Sequence, residues 1–360
     1  MPTPPRFIHV GTGGFGRYWC HEVLAPLVHA GKAAPAAAVD INPENLANAR
    51  QAYGIPPERC YTDPEKAFEE VEADFAVIVV PSDHHEAIVD RAVARGLHIL
   101  CEKPLADTMA AACRIYHKVE RAGLKMAVTT SHRFDQDKQT LLAALRSGRY
   151  GPAHYIVGRN TWNCRKRGAW GRGSRYYQKP DPLLTEATVH HFDIMRALAG
   201  SNARYVLCRS WNAPWSEFEG DSSALVFVEM LNGVKVFYEG SMTNAAGLNT
   251  WGEDYWRVEC QKATLELDGR RLRAISDLGG ERQAQDIPLL ERPAWMNPWL
   301  AEMFLEWLAG GPKPPNSLDD HIQCAALLFA AVESAHSQIL VDVQRFLAIN
   351  LAANKPPVDQ

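Results

Sequence analysis

The feature that most constrains this chain is the run Gly11-Thr12-Gly13-Gly14-Phe15-Gly16, which follows an apolar segment at 7–10 and opens a helical pattern at 15–29. Glycines in that spacing suit a strand that turns sharply into a helix lying back on the sheet. Gly11 permits the tight turn, Gly13 lets backbone approach a pyrophosphate at the helix start, and Gly16 lets the helix lie close on its strand. Gly14 and Phe15 share the loop and count as cofactor contacts. An ordinary strand-to-helix loop is the bland alternative, and Asp40 is what argues against it. It ends the next strand segment, 36–40, where a carboxylate can accept hydrogen bonds from both hydroxyls of an adenosine ribose and would repel a 2'-phosphate. NAD is therefore expected in preference to NADP. No arginine follows to clamp a phosphate, since Ile41-Asn42-Pro43 occupies that turn. Asp40 as a mere cap of the next helix is the competing role.

Strand-like segments at 7–10, 36–40, 75–80, 98–101 and 125–129 alternate with helical ones at 15–29, 43–53, 85–95 and 108–122. That rhythm predicts a parallel sheet with crossover helices, a Rossmann-type α/β domain over 1–128. Extended runs then recur at 205–211, 224–230, 234–239, 256–261, 264–267 and 272–275. Asn232-Gly233 and Asp268-Gly269 lie between such runs, the dipeptides that tight hairpins prefer. The expectation is a second, α+β domain over 129–360, with a large, mainly antiparallel open sheet of six strands. Helices at 186–199, 298–309 and 318–338 should cover one of its faces.

The length of 360 residues suits two such domains at about 150 residues each. With 38 Lys and Arg against 42 Asp and Glu, the net charge of -4 provides no basic field for nucleic acid or an anionic membrane. No apolar stretch approaches the ~20 residues needed to cross a bilayer, and the N-terminal residues lack the zones of a secretory signal, so a cytoplasmic protein is expected. Eight scattered cysteines without a Cys-x-x-Cys pair suit reduced thiols, not a disulfide framework or a zinc ribbon.

The segments Val79-Val80-Pro81-Ser82-Asp83-His84-His85 and Gly96-Leu97-His98-Ile99-Leu100-Cys101-Glu102-Lys103-Pro104, taken with the glycine run, resemble the Gfo/Idh/MocA family of NAD(P)-dependent oxidoreductases, the glucose-fructose oxidoreductase and inositol dehydrogenase group. Glu102-Lys103-Pro104 is similar to that family's strand-end signature. Glu186-Ala187-Thr188-Val189-His190-His191-Phe192-Asp193 looks like its second, and the resemblance extends to the closing helix around 319–337. It implies oxidation of a carbinol, with Lys103 as a cation beside the developing alkoxide and near the nicotinamide. Histidine titrates near neutrality, which makes His190 the candidate proton acceptor. Glu186 lies one turn earlier, to orient His190 or bind a hydroxyl, and Asp193 one turn later, either on the substrate or as a surface carboxylate. Pro81, His85 and Glu102 are read as further cofactor contacts.

Several positions depart from the family pattern. Glu186 stands where Asp is more common, Thr188 where Gly is common, and Ser131-His132-Arg133-Phe134 where an Asn with two arginines is usual; Arg133 is kept as a substrate contact. His191, about 100° round a helix from His190, is read as a packing residue. Adjacent His84 and His85 diverge at a helix start, and no metal is expected.

The segment 159–179 carries seven Lys or Arg and no acid. A solvated loop, or an arm on another subunit, is one reading. Aromatic faces that stack on sugar rings and arginines that grip anionic groups are the other, and they make Trp162, Asn163, Arg165, Trp170 and Arg172 substrate-side candidates. The leading expectation is an NAD-dependent dehydrogenase acting on a secondary alcohol of a sugar, inositol or related polyol. The alternatives are an NAD-recycling glycosidase or lyase and a non-catalytic sensor, and the presence of both Lys103 and His190 argues against the sensor. Alternation in the 224–230 strand puts Leu225 and Phe227 on one face and Val226 and Val228 on the other. Two apolar faces, with the family resemblance, imply a homodimer or homotetramer joined through this sheet.

Overall fold

The structure is a computed structural model that describes residues 3–169, 174–277 and 279–355. The chain forms two compact units that interleave along the sequence: Met1–Ser131 with Ala294–Ile322 and Asn350–Gln360, and His132–Pro293 with Gln323–Ile349. Among the described residues no helix is long and apolar enough to cross a membrane, and all eight cysteines are free thiols.

The first unit is built on β1 (Arg6–Val10), β2 (Ala34–Val39), β3 (Cys60–Tyr61), β4 (Phe75–Ile78), β5 (His98–Cys101) and β6 (Met126–Val128), in the order β3-β2-β1-β4-β5-β6. Every neighbouring pair is parallel. A parallel sheet is covered on both faces, which is why β4 is buried at all four positions of Phe-Ala-Val-Ile instead of alternating. The helix expected at 15–29 is divided into α-helix Phe15–Tyr18, π-helix Trp19–Leu24 and α-helix Ala25–His29. Pro26 lacks an N–H to bond the Glu22 carbonyl, and its ring crowds that oxygen, so the turn before it widens. The widened turn inserts Trp19, Val23 and Leu24 into a core shared with Phe7, Phe75 and Val77.

The helix Met296–Leu308 corrects an expectation. It does not cover the second sheet; Ala301 and Phe304 pack in this first core, Phe304 edge-on to Phe75 at 5.6 Å. Periodicity reveals that a helix has an apolar face without revealing which core receives it.

The second unit carries β7 (Ala153–Thr161), β8 (Ala203–Trp211), β9 (Ser223–Met230), β10 (Lys235–Ser241), β11 (Tyr255–Cys260), β12 (Thr264–Asp268), β13 (Arg271–Ser276), β14 (Gln283–Ile287) and β15 (Val341–Asp342). They form one nine-stranded sheet in the order β14-β13-β12-β11-β7-β10-β9-β8-β15. Six antiparallel strands were expected, and the missed central strand is β7, parallel to β10 and antiparallel to β11. Gly158 breaks its pattern because a Cβ there would lie 2.5 Å from the Trp256 indole, a close approach that excludes any side chain. The Asp268-Gly269 hairpin forms, with Gly269 at φ 51° and Arg270 at φ 65° in the left-handed region a tight turn requires. Helices Gln136–Arg146 and Val189–Ala199 pack on this unit's sheet.

Candidate functional site

In the first unit the glycine loop leaves β1 and stops at Asp40. The Asp40 carboxylate accepts from the backbone N–H of Thr12 at 2.8 Å and of Gly13 at 2.9 Å through Oδ2. Oδ1 accepts from Asn42 N at 2.9 Å and Asn45 Nδ2 at 3.1 Å. Asp40 therefore ties the loop to the start of the next helix, and the side chain of Asn42 caps that helix's first turn. Gly11 and Gly16 are sterically required against backbone, whereas a side chain at Gly13 would have to displace Asn45. A Cβ would come 2.2 Å from the Val79 carbonyl oxygen at Gly11, 2.1 Å from Asn45 at Gly13 and 2.0 Å from the Gly11 carbonyl oxygen at Gly16. Gly11 at φ 91° and Gly14 at φ 49° also adopt left-handed backbone. This is a cradle open to backbone contact, followed by a helix start and a carboxylate one strand away, and the residues present fit a dinucleotide. Phe15 is 41% exposed at its mouth and stacks on Tyr18 at 5.1 Å.

After β5 the chain places Glu102 inside and Lys103 half-buried, with Pro104 joined by a cis peptide. Glu102 Oε1 accepts from Trp19 Nε1 at 2.8 Å, and Oε2 accepts from Lys103 N at 3.1 Å. Burial raises its pKa, with Lys103 and Trp19 opposing the rise. Glu102, expected as a cofactor contact, is thus a buried strut under the Lys103 backbone. His85, expected as a further cofactor contact, is also held by internal bonds. It is fully buried, with Nε2 2.9 Å from the Val80 carbonyl and Nδ1 3.2 Å from that of Leu105, and burial lowers its pKa against those hydrogen bonds. Sequence spacing located both residues near the strand ends, but which way each side chain turns depends on what the interior has to satisfy. Pro81 remains partly exposed at the end of the β4 loop.

In the second unit a π-helix, Leu183–Thr188, runs into α-helix Val189–Ala199. His190 is 4% exposed, and its ring stands edge-to-face with Trp251 at 4.8 Å and with His132 at 6.0 Å. His191 points into the core. Its Nδ1 is 3.0 Å from the Tyr238 hydroxyl, its Nε2 is 3.4 Å from Asp254 Oδ1, and burial lowers its pKa despite Asp254. Glu186, expected to orient His190 or bind a hydroxyl, is 6% exposed, and its carboxylate pairs with Lys179 Nζ. A carboxylate this buried needs a cation, and Lys179 supplies one.

Asp193, expected either on the substrate or as a surface carboxylate, is fully buried and so is not the latter; its Oδ2 lies 3.0 Å from Arg133 Nε and its Oδ1 3.8 Å from Arg196 Nη1. Trp162 is only 7% exposed and meets Trp251 edge-on at 5.7 Å. Asn163 is exposed and donates to the Ala245 carbonyl at 3.1 Å. Arg165 is partly exposed, and its carbonyl accepts from Glu217 N at 2.8 Å. The neighbouring cations are answered by acids distant in sequence: Lys166 by Glu217 and Arg167 by Glu219, each at 3.0 Å. Trp170 and Arg172 lie outside the described residues.

Periodicity gave no sign of the group around Asp254. This fully buried carboxylate pairs with His132 Nε2, takes Lys138 Nζ at 3.1 Å and accepts from Asn160 Nδ2 at 2.5 Å. Burial opposes its ionisation, yet His132 and Lys138 hold its pKa well below the usual carboxylate range. His132, His191 and Asp254 present ligand atoms within 4.8 Å of one another, an arrangement that could hold a cation, and the Lys138 ammonium already lies against the same carboxylate. Lys138 is itself fully buried, with Asp137 at 3.1 Å and Asp135 at 3.6 Å. Above the group the His132 ring stacks on Trp251 at 4.1 Å and 23°. Four separate stretches supply these side chains, and the one available signal was an aromatic-rich loop, Trp251-Gly252-Glu253-Asp254-Tyr255-Trp256, between strands.

Comparison with known proteins agrees with this geometry. Residues 6–130 match the Gfo/Idh/MocA oxidoreductase family, NAD-binding Rossmann fold, and residues 143–343 match its C-terminal alpha/beta domain. The chain is 40% identical to the uncharacterized protein y4oX of Sinorhizobium fredii over 95% of this chain and 96% of that one. It is 27% identical to a D-apiose dehydrogenase of Paraburkholderia graminis over 89% of this chain and 84% of that one. An oxidoreductase from Agrobacterium radiobacter, solved with NAD+, L-tartaric acid and magnesium, has the same fold, with a TM-score of 0.78 at 21% identity over 95% of this chain and 99% of that one. This chain belongs to the Gfo/Idh/MocA family of NAD-dependent oxidoreductases.

Proposed function

We propose that this chain oxidises a secondary alcohol of a sugar, inositol or related polyol, with Lys103 and His190 as its acid-base residues. The observation that carries the reading is the glycine cradle closed onto Asp40, in a chain whose Glu102-Lys103-Pro104 and Glu186 to Asp193 runs resemble the family's signatures. Similarity to a D-apiose dehydrogenase supports the substrate class. NAD, when bound, supplies the hydride acceptor. Gly11, Gly13 and Gly16 admit its pyrophosphate to the backbone, and Asp40 meets the ribose hydroxyls. Lys103 stabilises negative charge on the substrate oxygen, held in place by the Glu102 carboxylate beneath its backbone. His190 takes the hydroxyl proton, and His191, bonded within the core, keeps the helix in register beneath it.

A panel of sugars, uronates and inositols with NAD, read as NADH formation at 340 nm, tests this reading. Net accumulation identifies the dehydrogenase. Substrate turnover without net NADH would replace it by a redox-neutral glycosidase or lyase.

We also infer a homodimer or homotetramer joined through the second sheet. In support, one face carries Leu225, Phe227 and Phe237 at 36–40% exposure, with Phe227 directly opposite Phe237, while Val226, Val228, Val236 and Tyr238 fill the other. Water-facing strands of a monomer are more polar than this.

A further inference from the structure

Trp251 was not among the residues that sequence reasoning selected. It lies in the loop between β10 and β11, is 40% exposed, and stands beside His190. Its ring is held by three neighbours. His132 lies flat against it at 4.1 Å, Trp162 meets it edge-on at 5.7 Å, and His190 stands at 4.8 Å and 77°. The three separations among His132, Trp251 and His190 place the two histidines nearly at right angles as seen from the indole. His132 thus covers one face of the indole and His190 stands alongside the ring, while the residue as a whole stays 40% exposed.

The support under this ring is unusually rigid for a loop aromatic. His132 is fully buried and fixed by Asp254, which is fixed in turn by Lys138 and by Asn160 of β7. An exposed indole costs solvation unless something covers it, and here the molecule uses a buried ion pair and two imidazoles to hold one in place.

We propose that Trp251 is the platform on which the substrate ring stacks, and that it selects cyclic substrates over open-chain polyols. This inference rests on the reading of His190 as the proton acceptor and deepens it by naming a substrate class: a pyranose, furanose or cyclitol with several C–H bonds on one face. Such a face lies flat on an indole, whereas an open-chain polyol presents no comparable flat patch of C–H bonds. A substrate seated there brings a ring hydroxyl beside His190.

The test uses the full-length protein and two readouts. Calorimetric titration in the presence of NADH measures binding of myo-inositol, D-glucose, D-apiose and the open-chain polyols xylitol and D-sorbitol to wild type, Trp251→Phe, Trp251→Leu and Trp251→Ala. NADH formation with NAD measures turnover of the same compounds. Trp251→Ala and Trp251→Leu should weaken the preferred cyclic compound about tenfold in Kd and KM. Its kcat should stay within about threefold, and Trp251→Phe, which keeps an aromatic face, should recover most of the affinity. Any open-chain binding should be unchanged by all three variants. Equal affinity in wild type and Trp251→Leu would overturn the platform, as would wild-type binding of xylitol or D-sorbitol as tight as that of every cyclic compound. If no cyclic compound binds the wild type, the platform is also overturned. Cyclic compounds that bind in a Trp251-dependent way without NADH formation would defeat the dehydrogenase reading and leave the platform standing.

Discussion

Adjacent histidines show how one position along a helix changes a side chain's surroundings. His190 keeps an edge toward Trp251, while His191 is enclosed between Tyr238 and Asp254. His190→Ala and Lys103→Ala should each lower kcat at least ~100-fold with folding intact. His191→Ala should instead cost about 2–4 kcal/mol of stability by emptying a buried, bonded site, with a much smaller loss of turnover per folded molecule. Steady-state rates alongside thermal melts separate these outcomes, and the reverse ranking of the two histidines would remove His190 from the mechanism. Asp40 holds the Thr12 and Gly13 amides, and in the proposed function it also meets the ribose hydroxyls. Asp40→Ala should therefore weaken NAD, improve NADP relative to it, and lower stability by about 1–2 kcal/mol through orphaned loop amides. The ratio of kcat/KM for the two cofactors is the measurement; a wild type that already prefers NADP would defeat the assignment.

Among the elements, the second sheet carries the proposed assembly. Phe227 of β9 and Phe237 of β10 are paired across the ladder on the face opposite Val226 and Val228, and Leu207 of β8 sits opposite Phe227. Phe227→Asp or Phe237→Asp should leave each chain folded, because both side chains are already partly exposed, and should split the oligomer. Light scattering at micromolar concentration checks it. A wild-type mass near 40 kDa with full activity would sink the oligomer. The divided helix at 15–29 makes a complementary point: Pro26 was visible in the sequence, but periodicity alone does not register the π-turn that lets Trp19 reach Glu102.

For the whole molecule, several buried neutral histidines shape the response to acid. Burial drives His9 down to about 3 in the folded chain, partly countered by Asp40, while the unfolded chain titrates near 6.5. The folded pKa lies below the unfolded one, so the unfolded state takes up the proton first. The stability contributed by neutral His9 is complete above about pH 6.5 and drains away as pH falls toward 3. At pH 5 that loss is about 2 kcal/mol. His85 and His191 are shifted in the same direction. His9→Asn, which keeps a polar partner for the Tyr53 hydroxyl, should lose about 2 kcal/mol less than wild type between pH 7 and 5 in urea unfolding. Equal losses would show that His9 is not titrating on unfolding.

What this chain's sequence determined alone were the features carried by local chemistry. The parallel, doubly covered sheet follows from apolar runs alternating with helical periods, the nucleotide cradle from glycines whose missing Cβ atoms are visible as letters, and the Asp268-Gly269 hairpin from the residues a tight turn demands. The tertiary structure decided what depends on partners distant in the chain. Whether β7 is a strand was settled by Trp256 packing on Gly158, and which core receives the helix Met296–Leu308 by Phe75. Glu186 is held by Lys179, Asp193 by Arg133, and His85 by two carbonyls, partners set by the need to satisfy buried polar groups. The Asp254 group and the Trp251 platform draw on residues 132, 138, 160, 190 and 251–254, a juxtaposition that no local period encodes because only folding brings those stretches together.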